Sequence, residues 1–419
     1  MSPASFRRAQ WRVLVATSVC YLFYYTGRQN FGWAIKGLAE DVGLSNTQIG
    51  WISGTGLVCY GASQIASGHL GDRFGGRRLV ALGAWLSCLL NWLVSVGQGF
   101  WALLLLWSLN NAAQSLGYAP ASRLIANWWG PRERGEAFGV FNFGAGLASV
   151  LTFALAIAVL ATLSWVWVFR LPVLLMPLGA LAFVWLVREQ PDEEGFAPPG
   201  EGSEAARERD AGGALLERVH GVLADRRFLL ACVGFGFTNW ARLSLLVWVP
   251  VHFLGAGWRE DPTAAWITLA LPLGMALGAL AAGYGADRLL HADHPRLIVW
   301  FLLPAAATAL VIFFVPTDQR ALGVALLFLA GFLVFGPVSS YSALCAALLG
   351  RGMLGTGIGV MNAVGYGTAA LGDLVIGLTL DATGSTRALF LIATGVCLAG
   401  AGCGMALRAG PPGGERRGP

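Results

Sequence analysis

Gly68-His-Leu-Gly-Asp72-Arg73-Phe-Gly75-Gly-Arg77-Arg78 reads as a tight, charged turn between two long apolar runs, and a shorter copy, Gly283-Tyr-Gly-Ala-Asp287-Arg288, recurs further on. Superposing Asp72 on Asp287 gives an offset of 215 residues, about half of the 419-residue chain. Self-similarity at a fixed spacing implies that one unit has been duplicated. Glycines permit a close turn between neighbouring helices, and Asp72 is placed to cap the N-terminus of the helix that follows it. Gly68, Asp72, Arg73, Asp287 and Arg288 are thus expected to form conformational loops, not a ligand site.

The composition says what has been duplicated. The chain is 56% hydrophobic and 12% charged, with mean hydropathy +0.62, whereas soluble domains carry about 25% charged residues. A membrane crossing takes about twenty apolar residues. Twelve such runs are present, at residues 11–35, 47–70, 79–96, 101–123, 135–159, 164–187, 228–254, 264–286, 295–315, 321–349, 354–380 and 386–407. Residues 188–227 are rich in Pro, Gly, Glu and Arg and are expected to be partly disordered. The expected fold is therefore an all-α integral membrane protein with 12 transmembrane helices in two pseudo-symmetric halves. Residues 1–187 and 228–407 form the halves, 188–227 the central loop and 408–419 a tail. With the N-terminus inside, 21 arginines fall on inner segments, while the outer loops hold only Lys36, Arg259, Arg320 and Arg387. Basic loops stay cytoplasmic, so both termini and the central loop are assigned to that side.

The same offset pairs two charges. Arg28 lies in Tyr21-Leu-Phe-Tyr-Tyr-Thr-Gly-Arg28-Gln-Asn-Phe31, within the first apolar run. A charge at that depth costs roughly 2.5 to 3.5 kcal/mol, so it normally lines a cavity or has a partner. Adding 215 points to position 243, and an arginine stands at 242. Duplicated halves place their binding site near the bilayer midplane on the axis between them. Arg28 and Arg242 are expected to face each other there. Asp373, midway along the eleventh run, would compensate one of them or carry a coupling proton.

Other classes recede. The pI is near 8.9, but the basic residues are dispersed, so no nucleic-acid partner is expected. The seven cysteines lie within apolar runs and form no Cys-x-x-Cys. Lys36 is the only lysine and no phosphate-binding loop is present, which argues against an ATP-driven pump. No nucleophile–base pair or metal cluster is found at membrane depth, so neither an enzyme nor a cofactor is expected.

The Gly68 loop and its second copy resemble the loops of the major facilitator superfamily. Four further stretches resemble its organophosphate:phosphate antiporters, the glycerol-3-phosphate and hexose-phosphate permeases. They are Tyr24-Tyr25-x-x-Arg28-x-Asn30-Phe31, Tyr60-Gly61-x-Ser63, Gln114-x-x-Gly117-Tyr118-x-Pro120 with Trp128-Trp129-x-x-Arg132-Glu133-Arg134-Gly135, and Arg242 followed by Trp248 and Pro250. Gly336-Pro337 and residues 355–367 are similar to its C-terminal half. The resemblance implies that Arg28 and Arg242 grip a phosphoryl group, with Tyr24, Tyr60, Gln64, Asn142 and Asn362 as polar lining. Guanidinium forks suit phosphate oxygens. Three cations and one acid of the glycerol-phosphate members are replaced here, at Gln29, Gln64, Ala145 and near Pro272. That pattern suits a less anionic or differently shaped substrate.

The expectation is a monomeric secondary carrier, embedded in lipid of the bacterial inner membrane. It would move a small organic phosphate by alternating access, in exchange for inorganic phosphate. Two alternatives stand beside it: a proton- or sodium-coupled carboxylate symporter using Asp373, and a membrane sensor of sugar phosphate signalling through residues 188–227.

Overall fold

The computed structural model describes residues 3–197, 199, 214–254, 264–316, 319–383 and 385–409, with the side chains of residues 3, 46, 247–251, 254, 264–268, 320, 351, 373, 374, 377, 380 and 381 outside the description. No strand occurs among the described residues. In order, the helices are α1 Pro3–Tyr24, α2 Ile35–Glu40, α3 Asn46–Phe74, α4 Gly76–Val94, α5 Phe100–Gln114, α6 Tyr118–Trp128, α7 Arg134–Leu160 and α8 Leu175–Leu186. They continue with α9 Leu215–Leu223, α10 Arg226–Leu254, α11 Ala264–Arg288, α12 His294–Phe314, α13 Arg320–Leu349, α14 Leu354–Thr383 and α15 Ala388–Ala409.

Eight stretches among the described residues are long and apolar enough to cross a membrane: Gly76–Val94, Arg134–Leu160, Trp165–Leu186, Arg226–Leu246, Leu269–Arg288, His294–Phe314, Ala321–Leu349 and Ala388–Ala409. Of the other expected runs, the first, second and fourth are broken or diluted with polar residues, and the eleventh, within α14, contains side chains outside the description. The first stops at Tyr24 and continues through the 3-10 turns Tyr25–Gly27 and Asn30–Trp33. The fourth divides between Gln114 and Tyr118, where α5 gives way to α6. In α3, Gln64 and six glycines lower the hydropathy. A helix that builds a polar site at membrane depth must carry polar groups, and its apolar signal falls accordingly. Large apolar side chains point outwards instead, as with Trp185 at 78% and Phe314 at 70% exposure, the pattern of a surface that meets lipid tails.

Two seams bring early helices against late ones. In one, α3 packs on α14; in the other, α7 packs on α11. Backbones touch in both. A Cβ on Gly68 would overlap the Gly355 carbonyl, and one on Gly283 would overlap the Gly135 carbonyl. These two glycines occupy equivalent places in the repeat, 215 residues apart, so the duplicated loop keeps the small residue that close helix approach needs.

The expected role of Asp72 as a cap on its own following helix needs correction. Its carboxylate accepts from the Gly355 N–H at 2.9 Å, the Thr356 N–H at 2.8 Å and the Thr356 hydroxyl at 2.7 Å. It therefore caps α14, far along the chain. The start of α4 is capped by Glu189, which accepts from the Gly76 and Arg77 N–H groups at 2.9 Å each. The turn at Gly75, with φ of +87°, directs Asp72 away from α4 and towards the seam. Asp287 acts likewise across the other seam, accepting from the Glu136 N–H at 2.6 Å near the start of α7.

Part of the central segment is ordered. Residues 201–213 lie outside the described residues, but α9 packs beneath the α3–α14 seam. Its buried Arg218 donates to Asp72 at 2.8 Å and to the Gly352 carbonyl. Arg123 lies 3.5 Å from the same carboxylate. Arg73, whose guanidinium stands over Phe74, is not in this group.

Candidate functional site

Tyr21 lies in the last turn of α1, Tyr25 opens the 3-10 turn after it, and Arg28 follows that turn. The two tyrosines help to wall a cavity of about 20 Å³ between the halves, together with Tyr60, Tyr118, Asn142, Arg242, Asn362 and Tyr366. The volume is room for about one water. A phosphate ester therefore requires the seams to part.

The Arg28 guanidinium stacks on two rings of the wall, 4.2 Å from the Tyr25 centroid and 4.8 Å from that of Tyr60. Arg242 stands 5.2 Å from the Phe335 centroid. The Tyr366 ring meets Tyr60 edge-on at 4.8 Å, and Tyr366 lies within electrostatic range of both arginines. No ion pair to a carboxylate occurs at Arg28 or Arg242 among the described residues. Aromatic faces hold a guanidinium without neutralising it. Both forks therefore keep a charge that could bind an anion.

Tyr118 ties the halves together at this level. Its hydroxyl donates to the Asn142 side-chain oxygen at 3.2 Å and stands 3.0 Å from the Ser342 hydroxyl. The Asn142 amide in turn donates to the Phe138 carbonyl at 2.9 Å and reaches the Ser339 hydroxyl at 3.5 Å.

Of the residues expected to line the site, Tyr60, Asn142, Arg242 and Asn362 are in the wall, and Arg28 stacks on it. Tyr24 is not. One step from Tyr25, it faces the opposite side of α1, where its hydroxyl donates to the Val80 carbonyl. Gln64 is fully buried, but it is absent from the wall. Its backbone carbonyl faces Gly359 where α3 meets α14, and both polar atoms of its side chain are buried without a hydrogen-bond partner among the described residues. The side chains of Asp373, Trp248 and Pro250 lie outside the described residues. The reading from sequence missed Tyr21, Tyr118 and Tyr366 as wall residues; the spacing to Arg28 was available as a signal for Tyr21. Ala145, where the resemblance would place a histidine, lines the cavity.

Residues 17–372 match the Major Facilitator Superfamily. The chain belongs to this family. It is 25% identical over 394 residues to the glycerol-3-phosphate transporter of Bacillus subtilis (strain 168), covering 90% of this chain and 88% of that protein. It is 23% identical over 383 residues to the membrane sensor protein UhpC of Salmonella typhimurium, covering 90% and 87%. With the probable hexose phosphate transport protein of Chlamydia pneumoniae it shares 24% identity over 393 residues, covering 89% and 86%. The family consists of transporters and not enzymes, and the chain is an integral protein of the bacterial inner membrane.

Proposed function

We propose that this protein exchanges a small organic phosphate ester for inorganic phosphate by alternating access. The observation that carries the reading is the pair of arginines at one cavity between the halves, held by aromatic faces and free of carboxylate partners among the described residues. Each fork donates to phosphate oxygens, and Tyr60, Asn142, Asn362 and Tyr366 supply further hydrogen-bonding groups. In this reading twelve helices span the membrane as two halves, residues 1–187 and 228–407, with both termini and residues 188–227 cytoplasmic. The Asp72 and Asp287 seams then close the cytoplasmic side. Two relatives named for glycerol-3-phosphate and hexose phosphate transport support an organophosphate ligand.

The test loads proteoliposomes with inorganic phosphate and offers a panel of phosphate esters and dicarboxylates outside. Counterflow of at least one ester is expected. Exchange of carboxylates alone would overturn the phosphate reading, and binding of esters without flux would make the protein a sensor.

A further inference from the structure

A helix that stops at membrane depth leaves carbonyls that need donors from the protein itself. The break at the end of α1 meets this need with side-chain amides. The Tyr24 carbonyl accepts from Gln114 Nε2 at 2.9 Å. The Gly27 carbonyl accepts from Asn110 Nδ2 at 2.9 Å and from Asn91 Nδ2 at 3.1 Å. Asn91 comes from α4; Asn110 and Gln114 come from α5, and all three are fully buried. They are locked to one another. Ser87 donates to Asn110 Oδ1 at 2.6 Å, Asn91 Nδ2 reaches that same oxygen at 3.0 Å, and Gln114 Nε2 reaches the Ser87 hydroxyl at 2.7 Å.

The cluster brackets Arg28. Gly27 is held on one side, and on the other Asn30 Nδ2 donates to Asn91 Oδ1 at 2.8 Å. Gly27 gives the amides their access, since a Cβ there would stand 2.8 Å from Asn91 Nδ2 and 2.6 Å from Met176 Cε. Arg28 itself has φ of −114° and ψ of −39°, so it has left the regular helix. Arg242, its counterpart in the repeat, lies inside the continuous helix α10 and needs no such clamp.

We propose that Asn91, Asn110 and Gln114 are positioning residues that fix the backbone on which Arg28 meets its anion, without touching the anion themselves. The inference rests on the reading of Arg28 as an anion-binding residue. A binding group displaced by even about 0.5 Å loses productive geometry, so releasing the Gly27 carbonyl should weaken the grip of Arg28 and leave that of Arg242 intact.

The test measures the dissociation constant of inorganic phosphate by calorimetry on the full-length, detergent-solubilised protein. Asn110→Leu removes the shorter of the two bonds to the Gly27 carbonyl, at similar volume, and takes away the oxygen that orients Asn91. It is expected to weaken phosphate binding about tenfold in the native background and less than twofold in an Arg28→Lys background, because positions that act through one another are not additive. Equal weakening in both backgrounds, or none in either, would overturn the proposal and mark the amides as purely structural. If Asn110→Leu fails to fold, Asn110→Asp keeps the shape and the bond from Ser87, and is measured in the same two backgrounds. If Arg28→Lys itself leaves phosphate binding unchanged, the anion-binding role of Arg28 falls and this inference with it.

Discussion

Replacing Asp72 by asparagine should open the α3–α14 seam. The buried carboxylate accepts two backbone N–H groups and one hydroxyl and pairs with Arg218 at 2.8 Å. Removing one partner of a buried pair costs about 3 to 5 kcal/mol. Asparagine keeps one acceptor oxygen but turns an amino group towards donors, so we take the low end, about 3 kcal/mol. At about 1.4 kcal/mol per tenfold, that is roughly a hundredfold shift. A preference of about 99 to 1 for the closed seam would fall to near even. Asp287 holds one described backbone N–H, that of Glu136, and its Oδ1 is unpartnered. Asp287→Asn should therefore cost only about 1 kcal/mol, roughly fivefold.

Spin labels on Phe74 and Leu289, at 51% and 75% exposure, report the separation of the halves at this end. Cys59 and Cys403, the two cysteines that are not buried, are first changed to serine. The parent should give one short distance. Asp72→Asn should add a longer one of comparable weight, and Asp287→Asn a minor one. An unchanged distribution for Asp72→Asn, or a larger shift for Asp287→Asn, would refute the reasoning.

Arg28→Gln and Arg242→Gln should each weaken inorganic phosphate binding about a hundredfold, since each removes charge-assisted bonds worth about 3 kcal/mol; a loss under threefold in calorimetry would remove that arginine from the site. Gly68→Ala forces a Cβ against the Gly355 carbonyl, so exchange in proteoliposomes should fall at least about tenfold while phosphate binding persists, because only seam closure is hindered. Native exchange by that variant would show that the seam does not close in the cycle. Asp373→Asn should leave phosphate exchange and its pH profile unchanged, and loss of both would favour ion-coupled symport.

The repeat was legible because its marks are loud. Asp-Arg after a glycine-rich turn stands out between apolar runs, and an arginine at membrane depth stands out within one, so the offset alone could pair Arg28 with Arg242. Local backbone was not legible. Nothing in the first apolar run marks where α1 stops, because the donors that stabilise the break, Asn91, Asn110 and Gln114, lie more than sixty residues away. The target of Asp72 was hidden for the same reason, since its capped helix begins 282 residues later, at Leu354. Tyr24 stands four residues before Arg28, a spacing that puts two side chains on one face of a continuous helix, and the expectation fails because the helix stops at Tyr24. Gln64 lies on α3 within the expected run, but a sequence does not show which face of a helix lines a cavity.

The two arginines are equivalent in the repeat yet differently mounted, and the difference bears on exchange. When the seams part, each half moves with its own arginine: Arg242 on an unbroken helix, Arg28 on a break clamped by amides. Closing the halves without an anion brings two cations together in a medium of low dielectric, where like charges repel strongly. Closing on a phosphoryl dianion replaces that repulsion with two charge-assisted contacts, one to each half. The bound anion thus lowers the free energy of the closed intermediate that both orientations must pass through. A carrier built this way reorients when loaded and stalls when unloaded, so the proposed exchange follows from where the charges are and requires no coupling ion.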